Sequence, residues 1–304
     1  MTGVRLLALL CSLALLVGGA ALAVVLVACG SSKSAGPPQG DAASDAPDGG
    51  DSGPATTGVG VVTFSELPDS GGTFFAGFSE TVPTLGPNCT AVDAGPCVTT
   101  SCMPPPPSDA GSVDAGPADA STAPAPSAGT MTITGGVFGA KGSALAPDKA
   151  GTYVYASPGT IFAPGDTLGV SAAGGAVPAF PTQTVIATPT IVLTAPTPGA
   201  GGKMTIPTAQ PLVVSWTGGQ AGAKTVLVAT AVFTTGGAAS TTCSWDASLG
   251  TGTVPSAALA PLAAANAETS GVSWYQSADE QFTVGTLAVT VSARVTQGSL
   301  ASFQ

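Results

Sequence analysis

Period-two alternation of apolar and polar residues is the dominant pattern of the chain from about residue 129 onward. Met131 and Ile133 alternate with Thr130, Thr132 and Thr134, and Leu168 and Val170 with Thr167, Gly169 and Ser171. Leu212, Val214 and Trp216 share one face of PLVVSWTGG. The longest run lies near the C-terminus, where Leu287, Val289, Val291, Ala293 and Val295 point one way and Ala288, Thr290, Ser292 and Arg294 the other. Such runs, bounded by Gly and Pro, predict half-buried antiparallel strands. Further strands are predicted over 59–64, 73–78, 152–155, 184–187, 190–195, 225–233, 241–245 and 272–275. The single helical candidate, 256–260, is limited to a turn or two by Pro261. Many short strands separated by turns predict an all-β protein of sandwich type.

The first residues follow a different pattern. Leu6 to Ala28 runs 23 residues without a charge, behind the single cation Arg5, and ends in Leu26-Val27-Ala28-Cys29. An apolar stretch on a positive start, closed by small residues, predicts a signal peptide over 1–28. Its ending resembles the lipobox of bacterial lipoproteins: Leu, an aliphatic or small residue, Ala or Gly, then Cys. The resemblance implies cleavage before Cys29, a diacylglycerol on its thiol and acylation of the new amine, so that the membrane is a partner through that lipid. Gly30 rather than Asp follows the cysteine, which in a Gram-negative lipoprotein implies sorting to the outer membrane. The alternative is an uncleaved anchor, since 23 residues of helix would span the ~30 Å hydrocarbon core. Gly18-Gly19 and the LVAC ending weigh against it. Plain secretion is the third option, and all three place the body outside the cytoplasm; the lipid-anchored reading places it in the cell envelope.

Composition then divides the remainder. The stretch 31–56 holds no aliphatic side chain larger than Ala, so it cannot bury enough apolar surface to offset the entropy of ordering. With Cys29 it predicts a lipidated, disordered tether over 29–56. A second Pro-, Ala- and Asp-rich stretch covers 103–128, and Val-Asp-Ala-Gly-Pro occurs at both 92–96 and 113–117. That is low-complexity spacing without an apolar face to stack. The predicted organisation is therefore two small antiparallel β-sandwich domains. The first, 57–190, carries a Cys-rich hairpin (89–102) and the Pro-rich loop (103–128); the second is 191–304. The second half resembles the immunoglobulin-like and fibronectin-like modules of bacterial surface proteins in PLVVSWTGG (211–219), CSWDASLGTGTVP (243–255) and LAVTVSARV (287–295). Val, Leu, Ile and Phe make up only 51 of the 276 residues from Cys29 onward, so the cores must be thin and built from Val and Ala.

Charge and residue inventory exclude several functions. The net charge is −10, and the seven cations are too few to bind nucleic acid. Eight of the seventeen acids stand in or beside the spacers, whereas from 129 onward six acids meet five bases. The acidity belongs mostly to the spacers, where isolated Asp residues lack the convergent oxygens of a Ca²⁺ site. The chain has no His, which removes His-based triads, His general bases and His metal ligands. Gly50-Asp51-Ser52-Gly53-Pro54 therefore only imitates a serine-protease signature. Leu67-Pro68-Asp69-Ser70-Gly71 imitates a sortase signal in the wrong place, and Gly201-Gly202-Lys203-Met204 falls short of a phosphate loop. No cofactor and no metal site is predicted.

Four cysteines remain in the body: Cys89, Cys97, Cys102 and Cys243. An even number in an exported protein predicts disulfides. Asp93-Ala94-Gly95-Pro96 has turn chemistry between two short arms. Cys89–Cys102 would close the open end of such a hairpin, Cys97–Cys102 is the competing pair, and a bond to Cys243 would tie the two halves together. For catalysis only paired carboxylates are left, Asp279-Glu280 with Asp246 or Glu268, although neighbours on a strand face opposite sides. Trp216, Trp245 and Trp274 fit core positions; an exposed Trp274-Tyr275 pair would instead offer a stacking platform for a sugar. The reading is a membrane-anchored extracytoplasmic lipoprotein with a structural or binding role and no evident catalytic activity. The alternatives are an adhesin-type module for a glycan or protein ligand and an acidic hydrolase using paired carboxylates.

Overall fold

The computed structural model describes residues 56–68, 70–103, 124–199, 202–233, 237–263 and 270–304. The leader, Cys29, nearly all of the tether, most of the Pro-rich loop and Glu268 lie outside them. The described chain is all-β, and no helix in it is long and apolar enough to cross a membrane.

Strands are numbered in chain order. An eleven-stranded sheet runs through the whole body. From edge to edge its path is β3 (Cys89–Ala94), β4 (Cys97–Cys102), β14 (Ala238–Asp246), β13 (Lys224–Val232), β16 (Gly271–Val284), β17 (Leu287–Val295), β1 (Gly58–Leu67), β2 (Gly71–Ser79) and β7 (Tyr153–Ser157). Two further strands complete it: β18 (Gln297–Phe303) pairs with β16, and β11 (Lys203–Ile206) pairs with β18. A four-stranded sheet has the order β6 (Ser143–Leu145), β5 (Met131–Thr134), β8 (Thr167–Ala172), β9 (Phe180–Ile186). A three-stranded sheet has the order β10 (Val192–Ala195), β12 (Leu212–Thr217), β15 (Thr251–Val254).

Each small sheet covers part of the large one, giving two apolar cores. In the first, Phe64, Phe74, Phe78 and Val291 of the large sheet share a cluster with Met131, Ile133, Leu168 and Val170 of the four-stranded one. In the second, Leu227, Trp245 and Trp274 share a cluster with Leu212, Val214 and Trp216 of the three-stranded one. The apolar positions read over 131–133, 168–170 and 212–216 are buried, as period-two geometry requires, whereas in β17 Ser292 and Arg294 of the polar face are buried as well. A short helix, α1 (Ser256–Leu259), runs into a 3-10 turn that ends at Leu262 and plugs the second core with Leu259 and Leu262. The Thr99 and Thr241 hydroxyls lie 2.9 and 2.7 Å from the Ala258 carbonyl oxygen and hold α1 against the sheet.

The spine of the molecule is its C-terminal hairpin. β16 turns at Gly285-Thr286, where Gly285 takes φ +58°, a value that suits glycine in a two-residue turn. β17 and β18 then return along β16 in one unbroken register, from Val284 opposite Leu287 to Gly271 opposite Leu300. Fourteen residues at ~3.3 Å each make this arm about 46 Å long, enough to serve both cores. Beside the second core its start pairs with β13 and β18. Beside the first core its far end places Val284, Leu287, Val289, Val291 and Ala293.

Three features differ from the sequence expectation. Along the chain, Ala187 is the last residue of the first core before Ile191 opens the second, but the hairpin then re-enters the first core. The Cys-rich hairpin, expected within the first unit, pairs instead with β14 and sends Cys97 into the second core. Pairing is not antiparallel throughout: β1 runs parallel to β17 and β11 parallel to β18. Both parallel pairs join segments far apart in sequence, which alternation within single strands does not encode.

Candidate functional site

The cysteines occupy opposite faces of the β3–β4 hairpin. Its two-residue connection, Gly95-Pro96, sets Cys89 opposite Cys102 and Ala94 opposite Cys97. Cys89 is disulfide-bonded to Cys102, and Cys97 to Cys243 across the β4–β14 ladder. The competing Cys97–Cys102 pair does not form, because both residues belong to one extended strand and their side chains leave it on opposite sides. The hairpin is thus closed at its own mouth and tied to the second half of the chain.

Among the described residues the candidate carboxylates do not converge. Asp279 stands opposite Ser292 and Glu280 opposite Val291, so alternation sends the neighbouring pair to opposite faces of the sheet. Asp246 is engaged elsewhere, in a surface ion pair with Lys224 at 2.9 Å. On the outer face, Asp279 accepts a hydrogen bond from the Ser277 hydroxyl. Asp279 is exposed, yet partial loss of solvation beside the strands pushes its carboxyl above the ordinary value, while the Ser277 bond and the Arg294 charge pull it back. The Arg294 guanidinium carbon lies 4.6 Å from the centroid of the Tyr275 ring, a cation–π distance. Burial raises the Tyr275 hydroxyl above its usual range, so it is protonated at neutral pH.

The aromatic side chains are core material. Trp216 packs on Trp245 at 5.8 Å and donates its indole hydrogen to the Ala247 carbonyl. Trp274 donates to Gln297 Oε1 at 2.9 Å. Trp274 and Tyr275 are adjacent on a strand and therefore on opposite faces, each only 7% exposed. They do not form the coplanar exposed pair that sugar stacking would use. Among the described residues no three His, Cys, Asp or Glu side chains come together as a metal site.

A concave feature of the described body lies beside the segment that links the two cores. Residues 187–191 pass from one to the other, and Gln276, 1% exposed, fastens them. Its carbonyl accepts from the Thr188 hydroxyl at 2.8 Å, its side-chain nitrogen donates to Pro189 O at 3.4 Å, and its Oε1 accepts from Gln220 N at 2.7 Å. Beside this crossing is a cavity of about 370 Å³, with Glu66 in its wall together with Pro68, Pro158, Phe162, Thr190 and Val295. Glu66 Oε1 accepts hydrogen bonds from the backbone N–H groups of Ile161 and Phe162, the latter at 3.0 Å.

Glu66 and Gln276 were not singled out by sequence reasoning. A signal existed for the first: Glu66 lies just beyond the strand predicted over 59–64, in phase with its Val62 and Phe64. For Gln276 there was none, since its importance comes from the linker that crosses over it. No protein-family model and no curated protein matches the chain.

Proposed function

We propose that the chain is an exported, lipid-anchored protein of the cell envelope whose β-rich body has a scaffolding or binding role outside the cytoplasm. The observation that carries this reading is the apolar leader ending in Leu26-Val27-Ala28-Cys29, followed at once by Ser-, Gly- and Pro-rich sequence. The pairing of all four body cysteines supports it, because stable disulfides belong to oxidising compartments. Cys29 is the lipidation site, Gly30 favours the outer membrane of a Gram-negative cell, and the acidic tether holds the body away from the bilayer.

The test is metabolic labelling with a radiolabelled fatty acid. The wild-type chain takes up label and fractionates with membranes; Cys29→Ala loses the label. Undiminished incorporation into Cys29→Ala overturns the lipoprotein reading. Between scaffold and binding module, the cavity at the core junction favours binding, since ligand pockets concentrate at such junctions. The separated carboxylates and buried aromatics described above lend no support to an acidic hydrolase or to a sugar platform.

A further inference from the structure

We propose that the junction cavity is a binding site for a small organic ammonium, an apolar body carrying one positive charge, with Glu66 as its counter-ion. The proposal stands whether or not Cys29 is acylated.

Glu66 ends the inward face of β1 and is 6% exposed. Its Oε1 is served by the two backbone N–H groups at 161 and 162. No group among the described residues donates to Oε2. No cation is paired with Glu66 either, the ion pair of the described body being Lys224–Asp246. A carboxylate withdrawn from water without a cation is costly, and a cation supplied from outside relieves that cost. The cavity wall around it is mixed: Pro68, Pro158, Pro164, Phe162 and Val295 give it apolar surface beside the polar Thr160 and Thr190. Its volume, about 370 Å³, lies toward the small end of the range for ligand sites.

A divalent metal is the wrong cation for this wall. Ca²⁺ takes six to eight oxygens and usually several carboxylates, and among the described residues Glu66 is the one carboxylate lining the cavity. A primary ammonium needs fewer acceptors: the free carboxylate oxygen, with Thr160 and Thr190 close by in the same wall. The site is also built in advance. A Cβ on Gly72 would come within 2.8 Å of Glu66 Oε1 and 2.5 Å of Ile161 Cγ1, so glycine there leaves the carboxylate its place. Gln276 fixes the crossing segment that supplies Thr190.

A purely structural Glu66, there only to hold residues 161 and 162, makes a different forecast. Glu66→Gln keeps an acceptor oxygen for both N–H groups and removes only the charge. The test is calorimetric titration of the full chain in detergent with phenethylammonium and with n-butylammonium, and with neutral 2-phenylethanol as control. Wild type should bind at least one ammonium saturably, Glu66→Gln at least ~10-fold more weakly, and 2-phenylethanol at least ~10-fold more weakly than phenethylammonium. Ca²⁺ at millimolar concentration should not displace the ammonium. Absence of saturable binding, equal binding by Glu66→Gln or by the alcohol, or displacement by Ca²⁺ overturns the proposal. If Glu66→Gln does not fold, the comparison of ammonium with alcohol on the wild-type chain decides it.

Discussion

Cys97 and Cys243 face each other directly across β4 and β14, and their disulfide joins positions 146 residues apart. The bond is wholly buried in the second core. It fastens an edge hairpin from the first half of the sequence to a strand of the second.

Removing that bond should cost more than removing its neighbour. Loop-closure entropy grows with the length of chain enclosed, and Cys89–Cys102 encloses only a 13-residue separation. The double variant Cys97→Ala/Cys243→Ala should lose about 2–5 kcal/mol in denaturant unfolding, and Cys89→Ala/Cys102→Ala less. Peptide mapping without reduction should recover Cys89–Cys102 and Cys97–Cys243. Recovery of a Cys97–Cys102 peptide contradicts the pairing.

The shared hairpin makes a calorimetric prediction. Leu287 is 4% exposed in the first core, whereas Leu300 on the same returning arm is 62% exposed. Leu287→Ala should destabilise by about 2–5 kcal/mol, and Leu300→Ala by no more than about 0.5 kcal/mol. Because β16 serves both cores, the wild-type body and Leu287→Ala should each unfold in one transition. Two resolved endotherms would refute the coupling.

Thr99 and Thr241 act on one acceptor. Thr99→Val and Thr241→Val should each cost about 0.5–1.5 kcal/mol by denaturant titration. The double variant should cost more than the sum of the two, because only then does the buried Ala258 carbonyl lose both hydroxyls. Simple additivity would show that the hydroxyls do not share it.

Asp279 gives a pH dependence of defined sign. Its carboxyl sits above the ordinary value chiefly through desolvation. An acid raised in this way destabilises the fold when ionised, and the penalty fades as pH falls through its folded-state value toward the unfolded one. Asp279→Asn retains an acceptor for Ser277 and removes the charge. It should be more stable than wild type at pH 7, with the difference shrinking at pH 4. A variant less stable than wild type at pH 7 would show that attraction to Arg294 outweighs desolvation.

The parts legible in the sequence were those in which one strand alone reveals its environment. Met131/Ile133, Leu168/Val170 and Leu212/Val214/Trp216 alternate, and they are buried as the alternation requires. The far half of β16 was not read as strand. In Ser277-Ala278-Asp279-Glu280-Gln281 the pairing with β17, rather than apolar burial, keeps the chain extended. β11 and β18 were missed for a related reason: their parallel partnership joins Lys203–Ile206 to the last residues of the chain. Three cysteines in one short segment pointed to a hairpin, but the partner of Cys97 depended on β4 meeting β14. The cavity gathers Glu66, Thr160, Thr190 and Val295 from distant parts of the chain, so no single strand announces it.

The parallel pairing of β1 with β17 inverts the order of synthesis and completion. β1 begins at Gly58 and is made long before its partner, Leu287–Val295. Until those residues arrive, Val62 and Phe64 lack Val291 and Ala293 beside them, and the N-terminal core stays open along one flank. A chain emerging from its amino end must therefore carry an unfinished first core from β1 until β17 is delivered.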